Sequence, residues 1–260
     1  MSFEHKKSLG QNFLRDNNII SKIIDSINPM SDDLIIEIGP GEGALTKRLV
    51  NKNCDLICFE IDKRLQDTLS NIKSERIRII YEDFLKVDLK KYIDKKYNNV
   101  YFVGNLPYYI TTAIINKITS ETHAKEITIM IQKEVANRFM ARIKTKQYNS
   151  LSVFLQYNYE ITKICDVSRN CFDPIPNVDS IVIKLVSHNK YKNICQNEEL
   201  FYRIVKDSFN YKRKTLKNNL KNYNLELIDN ILKKYKKSIN NRAEEISIEE
   251  FIDIANNLNS

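Results

Sequence analysis

Apolar, β-rich runs recur through the first half of the chain, at Leu34–Ile38, Asp55–Ile61, Ile77–Tyr81, Val100–Val103 and Ile127–Ile131. Helical or polar segments of suitable length separate them. Runs without polar alternation are how strands covered on both faces read, and their alternation with helices predicts βαβ units around a parallel sheet. Upstream, Asp16 is placed to cap a helix over residues 16–28, with Ile19, Ile20, Ile23, Ile24 and Ile27 at helical spacing.

The pattern changes after residue 150. The stretch SLSVFLQYNY suits helix or strand equally, because periodicity does not separate the two in a short apolar run. ITKICDV and DSIVIKLV predict two more strands, a hairpin-like pair at the sheet edge. From about residue 190 strand signals vanish, and 198–222, 224–238 and 247–258 predict short amphipathic helices. The expected division is an α/β domain over 1–188 and a small basic helical domain over 189–260.

Composition narrows the picture. Of 260 residues 42% are hydrophobic and 28% charged, ordinary for a globular protein, and no stretch approaches the eighteen apolar residues that a membrane helix needs. The N-terminus MSFEHKKSLGQNFLRD has neither the apolar core of a secretory signal nor the Arg/Ser character of a transit peptide, so a cytoplasmic location is expected. Five cysteines without a CxxC pair and three scattered histidines argue against a metal site and for a reducing compartment. The net charge of +8 suggests a polyanionic partner. Nine Lys/Arg against three Asp/Glu fall between Lys190 and Lys221, although such a run also reads as a solvated helix face.

Candidate chemistry sits behind the strands. The first is followed by EIGPGEG, residues 37–43, then by the helical ALTKRLV. Glycines at 39, 41 and 43 form a G-x-G-x-G, not the G-x-G-x-x-G of a dinucleotide site, and alone they read equally as a strand-to-helix turn. Their company is more informative. Glu60 ends the second run, and Tyr81-Glu82-Asp83-Phe84 ends the third. One carboxylate can accept both ribose hydroxyls of an adenosine and another its amino group, with Phe84 available to the ring. Glu37 could fix the loop or meet a cationic group. This combination resembles class I S-adenosylmethionine-dependent methyltransferases, in which acids at the positions of Glu60 and Asp83 hold the ribose and the adenine.

The fourth run ends in GNLPYY, residues 104–109. Its Asn105-Leu106-Pro107-Tyr108 is similar to the motif of methyltransferases that modify exocyclic amino groups of bases. Such an amine is a poor nucleophile, since its lone pair is delocalised into the ring. The Asn105 side-chain oxygen and the Leu106 carbonyl, held by Pro107, offer two acceptors for its protons, and Tyr108 offers a stacking surface. A turn with a packed tyrosine is the plain structural alternative.

The segments HKKSLGQNFLRD (5–16), GNLPYYITT (104–112), QKEVANRF (132–139), CFDPIPNVDSIVIKL (171–185) and YKRKTLKNNL (211–220) resemble, in order, the ribosomal RNA adenine dimethyltransferase family. The resemblance implies a Rossmann-like, mostly parallel seven-stranded sheet with a small all-helical C-terminal domain. It implies S-adenosyl-L-methionine as cofactor, contacted by Asn12, Leu14, Gly39, Gly41, Glu60, Asp83 and Asn105. Asn105, Leu106, Pro107 and Tyr108 would form the catalytic wall, with Phe172 against the other side of the target base unless it is an ordinary core residue. Lys212, Arg213 and Lys214 would contact the rRNA backbone, or else are a solvated face. NLPYYITT and the F-x-P-x-P-x-V-D-S segment are most similar to the branch that dimethylates two adjacent adenines near the 3′ end of small-subunit (16S) rRNA. The expected partner is then the immature small ribosomal subunit and the expected state a monomer. The alternatives are the branch that methylates a large-subunit adenine, or a non-enzymatic nucleic-acid-binding factor on the same scaffold. Tyr109 is left without a role.

Overall fold

The computed structural model describes residues 10–258, so the part of HKKSLGQNFLRD before Gly10 lies outside the described residues. Asp16 caps the first helix, Asn17–Asp25, its carboxylate accepting from the backbone N–H groups of Asn18 and Ile19. That satisfies donors which the first turn cannot pair internally. The isoleucines at 19, 20, 23 and 24 are buried.

The strands are β1 (Phe13–Leu14), β2 (Leu34–Ile38), β3 (Asp55–Phe59), β4 (Ile77–Ile80), β5 (Val100–Asn105), β6 (Glu126–Gln132), β7 (Tyr159–Val167), β8 (Phe172–Asp173) and β9 (Ser180–Ser187). Seven of them form one sheet in the order β4-β3-β2-β5-β6-β9-β7, while β1 and β8 pair separately. The pairs β2/β3, β3/β4, β2/β5 and β5/β6 are parallel, and β9 runs antiparallel to β6. This is the mostly parallel seven-stranded sheet that the apolar runs and the family resemblance predict, with the two late strands towards one edge. β3 ends two residues short of the predicted Ile61, which leaves Ile61 beyond the ladder and 49% exposed.

The chain divides into two compact units, one of residues up to Ala136 with Thr162–Ser187, the other of Asn137–Ile161 with everything from His188 on. The sequence reading keeps 137–161 with the sheet. In the structure this segment belongs to the helical unit, because its apolar residues Ala141, Tyr148, Val153 and Tyr157 pack with Phe201, Ile204, Leu216, Ile228 and Phe251. SLSVFLQYNY resolves into the helix Ser150–Asn158, opened by an Asn149/Ser152 capping box, and passes into β7 at Tyr159. The helix expected over 198–222 is broken into Glu198–Ser208 and Leu216–Asn219. The side chain of Asn219 binds the Ser208 and Tyr211 carbonyls and the Tyr211 N–H, and this pins an exposed turn between the two pieces. Helices Leu225–Lys233 and Ile248–Asn257 complete this unit. No helix among the described residues is long and apolar enough to cross a membrane.

One residue of β2 departs from its apolar run. Glu37 is 1% exposed, and the Cys58 thiol donates to its Oε2 at 3.5 Å. Burial, with the like charge of Glu60 as a smaller cause, raises its pKa from 4.5 to about 7. The folded state thus favours the protonated carboxyl more than the unfolded chain does. Its stabilising contribution is complete below pH 4.5 and is lost as pH rises towards about 7. We expect Glu37→Gln to remove this dependence and to raise the unfolding free energy at pH 8 by about 3 kcal/mol. Urea unfolding of both proteins from pH 4.5 to 8 measures it; parallel curves would show that Glu37 is not the titrating group.

Candidate active site

The loop behind β2 begins with the Gly39 N–H bonded to the Phe59 carbonyl at 2.9 Å, which keeps the ends of β2 and β3 level. Gly39 and Gly41 both adopt left-handed backbone, with φ of +66° and +58°, a conformation that costs other residues strain. A Cβ added at Gly39 would meet nothing within 4 Å. The space there is open, and the backbone is free to receive a ligand. Over Gly41 lies the Phe13 ring, 2.8 Å from where a Cβ would stand.

Glu60 follows β3 and is 5% exposed. Its Oε2 accepts from the Gly41 N–H at 3.0 Å and its Oε1 from the Asp62 N–H at 2.8 Å. Burial raises its pKa and those two backbone bonds oppose the rise. Each oxygen of a carboxylate has a second acceptor site, so Glu60 can hold the glycine loop and still receive hydroxyl donors. Asp83 follows β4, where its Oδ1 accepts from the Leu85 N–H at 3.0 Å and caps a short turn. The neighbouring Phe84 packs edge-on against Phe59 and Phe102, so its ring is largely committed to the core.

At the end of β5, Leu106 is buried and its N–H continues the ladder to the Met130 carbonyl at 3.1 Å. The Pro107 carbonyl accepts from the Ile110 N–H at 3.2 Å and the Thr111 hydroxyl at 3.1 Å, closing the turn into the helix Thr111–Glu121. The Tyr108 hydroxyl shares a 2.9 Å hydrogen bond with the Ser180 hydroxyl at the start of β9. That anchor ties the Tyr108 ring to β9, and burial raises the pKa of its hydroxyl.

An N-terminal segment crosses these strand ends. Gln11 donates to Asp62 Oδ2 at 2.7 Å, and the Asn105 side-chain amide donates to the Asn12 carbonyl at 2.8 Å. β1 then pairs antiparallel with β8, Leu14 opposite Phe172 and Phe13 opposite Asp173. Arg15 completes the attachment with ion pairs to Glu42 and Asp173.

A cavity in this unit is lined by Asn12, Leu14, Gly39, Gly41, Glu60, Asp83, Asn105, Leu106, Pro107 and Tyr108, all from the sequence-derived set. Phe172 stands apart from them. It is 3% exposed, packs in the core with Leu14, and is absent from the cavity wall among the described residues. Lys212, Arg213 and Lys214 are exposed on the turn after Ser208 in the helical unit. Sequence reasoning missed Gln11, Phe13, Ile61 and Leu85, which also line the cavity. Gln11 and Phe13 did carry a signal, since they interleave with Asn12 and Leu14 in the HKKSLGQNFLRD segment, and Ile61 directly follows Glu60.

The model of the family described as ribosomal RNA adenine dimethylase matches residues 2–260. A protein of Bacillus pumilus named ribosomal RNA small subunit methyltransferase A is 41% identical over 266 residues, covering 98% of this chain and 91% of that one. A protein of the same name from Onion yellows phytoplasma is 46% identical over 219 residues, 83% of this chain and 80% of its own. Among solved structures, a dimethyladenosine transferase from Plasmodium falciparum superposes with a TM-score of 0.75 at 25% identity, over 93% of this chain and 95% of that one. The 23S rRNA methyltransferase ErmE shares the fold, with a TM-score of 0.75 at 24% identity over 96% of this chain and 100% of its own. The chain belongs to the ribosomal RNA adenine dimethylase family.

Proposed function

We propose that this chain is a cytoplasmic, monomeric S-adenosylmethionine-dependent methyltransferase that dimethylates N6 of two adjacent adenines near the 3′ end of small-subunit rRNA, acting on the immature small subunit. The observation that carries this reading is one cavity flanked on one side by Gly39, Glu60 and Asp83 and on the other by Asn105–Tyr108. The relatives at 41% and 46% identity, both named for the small subunit, support the choice of substrate.

The residues present fit the cofactor. Open space at Gly39 admits a ligand against the backbone, the buried Glu60 retains acceptor sites for a ribose diol, and Asp83 faces the same cavity. When bound, S-adenosylmethionine supplies an electrophilic methyl group on a sulfonium. On the other side, Asn105 Oδ1 and the Leu106 carbonyl accept the N6 hydrogens of a splayed-out adenine, two before the first transfer and one before the second, and turn its nitrogen lone pair out of conjugation. The Tyr108 ring, tethered through Ser180, stacks on the base and holds it in line for transfer. Phe172 keeps a structural role in this scheme, fastening β8 to β1. Lys212, Arg213 and Lys214 contact phosphates, fixing register without reading sequence.

Methyl transfer to immature small subunits, but not to naked large-subunit RNA, is the expected substrate pattern, and rRNA binding without affinity for S-adenosylmethionine would sink the enzymatic reading. Asn105→Ala should lower the single-turnover rate by at least about 100-fold, comparable to losing one preorganised hydrogen-bonding group elsewhere in catalysis. Its cofactor affinity, measured by calorimetry, should stay within a few-fold; a collapse of that affinity would make Asn105 chiefly a cofactor ligand. Replacing Lys212, Arg213 and Lys214 together by alanine should reduce the slope of log affinity against log salt by up to about 2. An unchanged slope in a filter-binding titration would return them to a solvated surface.

A further inference from the structure

Tyr109 is 64% exposed at the rim of the cavity, directly beyond the anchored Tyr108. An exposed tyrosine is unremarkable by itself. What distinguishes this one is Gly10, which lies against its ring. A Cβ on Gly10 would stand 3.2 Å from Tyr109 Cε1 and 3.6 Å from Pro107 Cβ, and Gly10 holds φ at +61°. The first turn of the described chain is therefore fitted against the Cδ1–Cε1 side of the Tyr109 ring and against Pro107.

That turn leads to Asn105. The Asn12 side-chain amide donates to the Gly10 carbonyl at 3.3 Å, and the Asn12 carbonyl accepts from Asn105 Nδ2 at 2.8 Å. A backbone carbonyl can only accept. The end of the Asn105 carboxamide that faces it must be the NH₂ group, so the opposite end, Oδ1, is turned away from the N-terminal segment. A carboxamide without such a partner has two orientations of nearly equal energy, and only one of them presents an acceptor to an incoming amine.

We infer that Tyr109 is a positioning residue: by packing on Gly10 it holds the Gly10–Asn12 turn, and through the Asn12 carbonyl it fixes which end of the Asn105 amide faces the substrate. The inference rests on the acceptor role proposed for Asn105. Phenylalanine can do the same work, since the contact uses the ring and not the hydroxyl. The role also gives an aromatic at the rim a use although its surface is mostly wet: Gly10 lies against one side of its ring.

The test uses the full-length protein labelled with ¹⁵N-asparagine, with the Asn105 side-chain NH₂ signal identified by its loss in Asn105→Ala. In cofactor-free Tyr109→Ala that signal should shift or broaden, while in Tyr109→Phe it should stay in place. The single-turnover rate at saturating RNA and cofactor should fall about 10-fold in Tyr109→Ala, recover in Tyr109→Phe, and leave RNA affinity within about 3-fold of the parent. If the amide signal is unmoved in Tyr109→Ala, the inference is overturned. An unmoved signal accompanied by a loss confined to RNA affinity would make Tyr109 a direct RNA contact instead. A moved signal with an unchanged rate would uphold the orienting contact and remove the acceptor role from Asn105, so the two readings fail separately.

Discussion

The backbones of β2 and β5 approach one another so closely at their carboxyl ends that Gly104 has no room for a side chain. A Cβ there would lie 2.5 Å from the Ile38 carbonyl oxygen. This close approach, with the parallel register that pairs Glu37 with Cys58 on one side and with Val103 on the other, brings three strand ends level. β4 joins through Phe59 opposite Ile80. Gly39, Glu60 and Asp83 stand past the last ladder pairs of β2, β3 and β4, and Asn105 stands at the last pair of β5 with β6. Parallel strands in register therefore convert four positions scattered over the sequence into one rim, which is why ligands of open α/β sheets collect there.

Much of that rim is legible in the sequence, because its polar groups fall within a few residues of the end of a largely apolar run. Glu60, Asp83 and Asn105 could be placed by locating where each strand must end. The G-x-G-x-G spacing could be read the same way, since positive φ at Gly39 and Gly41 needs residues without a Cβ. The second layer is not legible. Gln11 reaches Asp62 across 51 residues of sequence and Asn105 reaches Asn12 across 93, and no local periodicity encodes partners that far apart. Phe172 shows another limit: the motif marks an aromatic that reads as base-packing or core, and the structure places its side chain in a core cluster with Leu14.

The helical unit illustrates a different limit. The apolar spacing over 198–222 is compatible with one continuous helix, yet Asn219 turns back on Ser208 and Tyr211 and bends the chain there. Side chains that hydrogen-bond backbone compete with helix continuation, and the outcome depends on whether the bend lets apolar residues on both pieces reach a shared core. Here Ile204 and Leu216 both do. The same accounting assigns 137–161 to this unit, since membership follows from burial partners and not from order along the chain.

The position of β9 has a consequence for how the protein is made. It is the last strand in the sequence but lies between β6 and β7, and it also carries the Ser180 hydroxyl that tethers Tyr108. Residues of β6 and β7 are synthesised before residues 180–187, which lie between them in the sheet. Until then β6 has a bare hydrogen-bonding edge, a hazard for pairing with other chains, and Tyr108 has no anchor. The wall of the cavity is thus completed late in synthesis. The protein must be made by one ribosome through β9 before it can take up the role proposed for it on another.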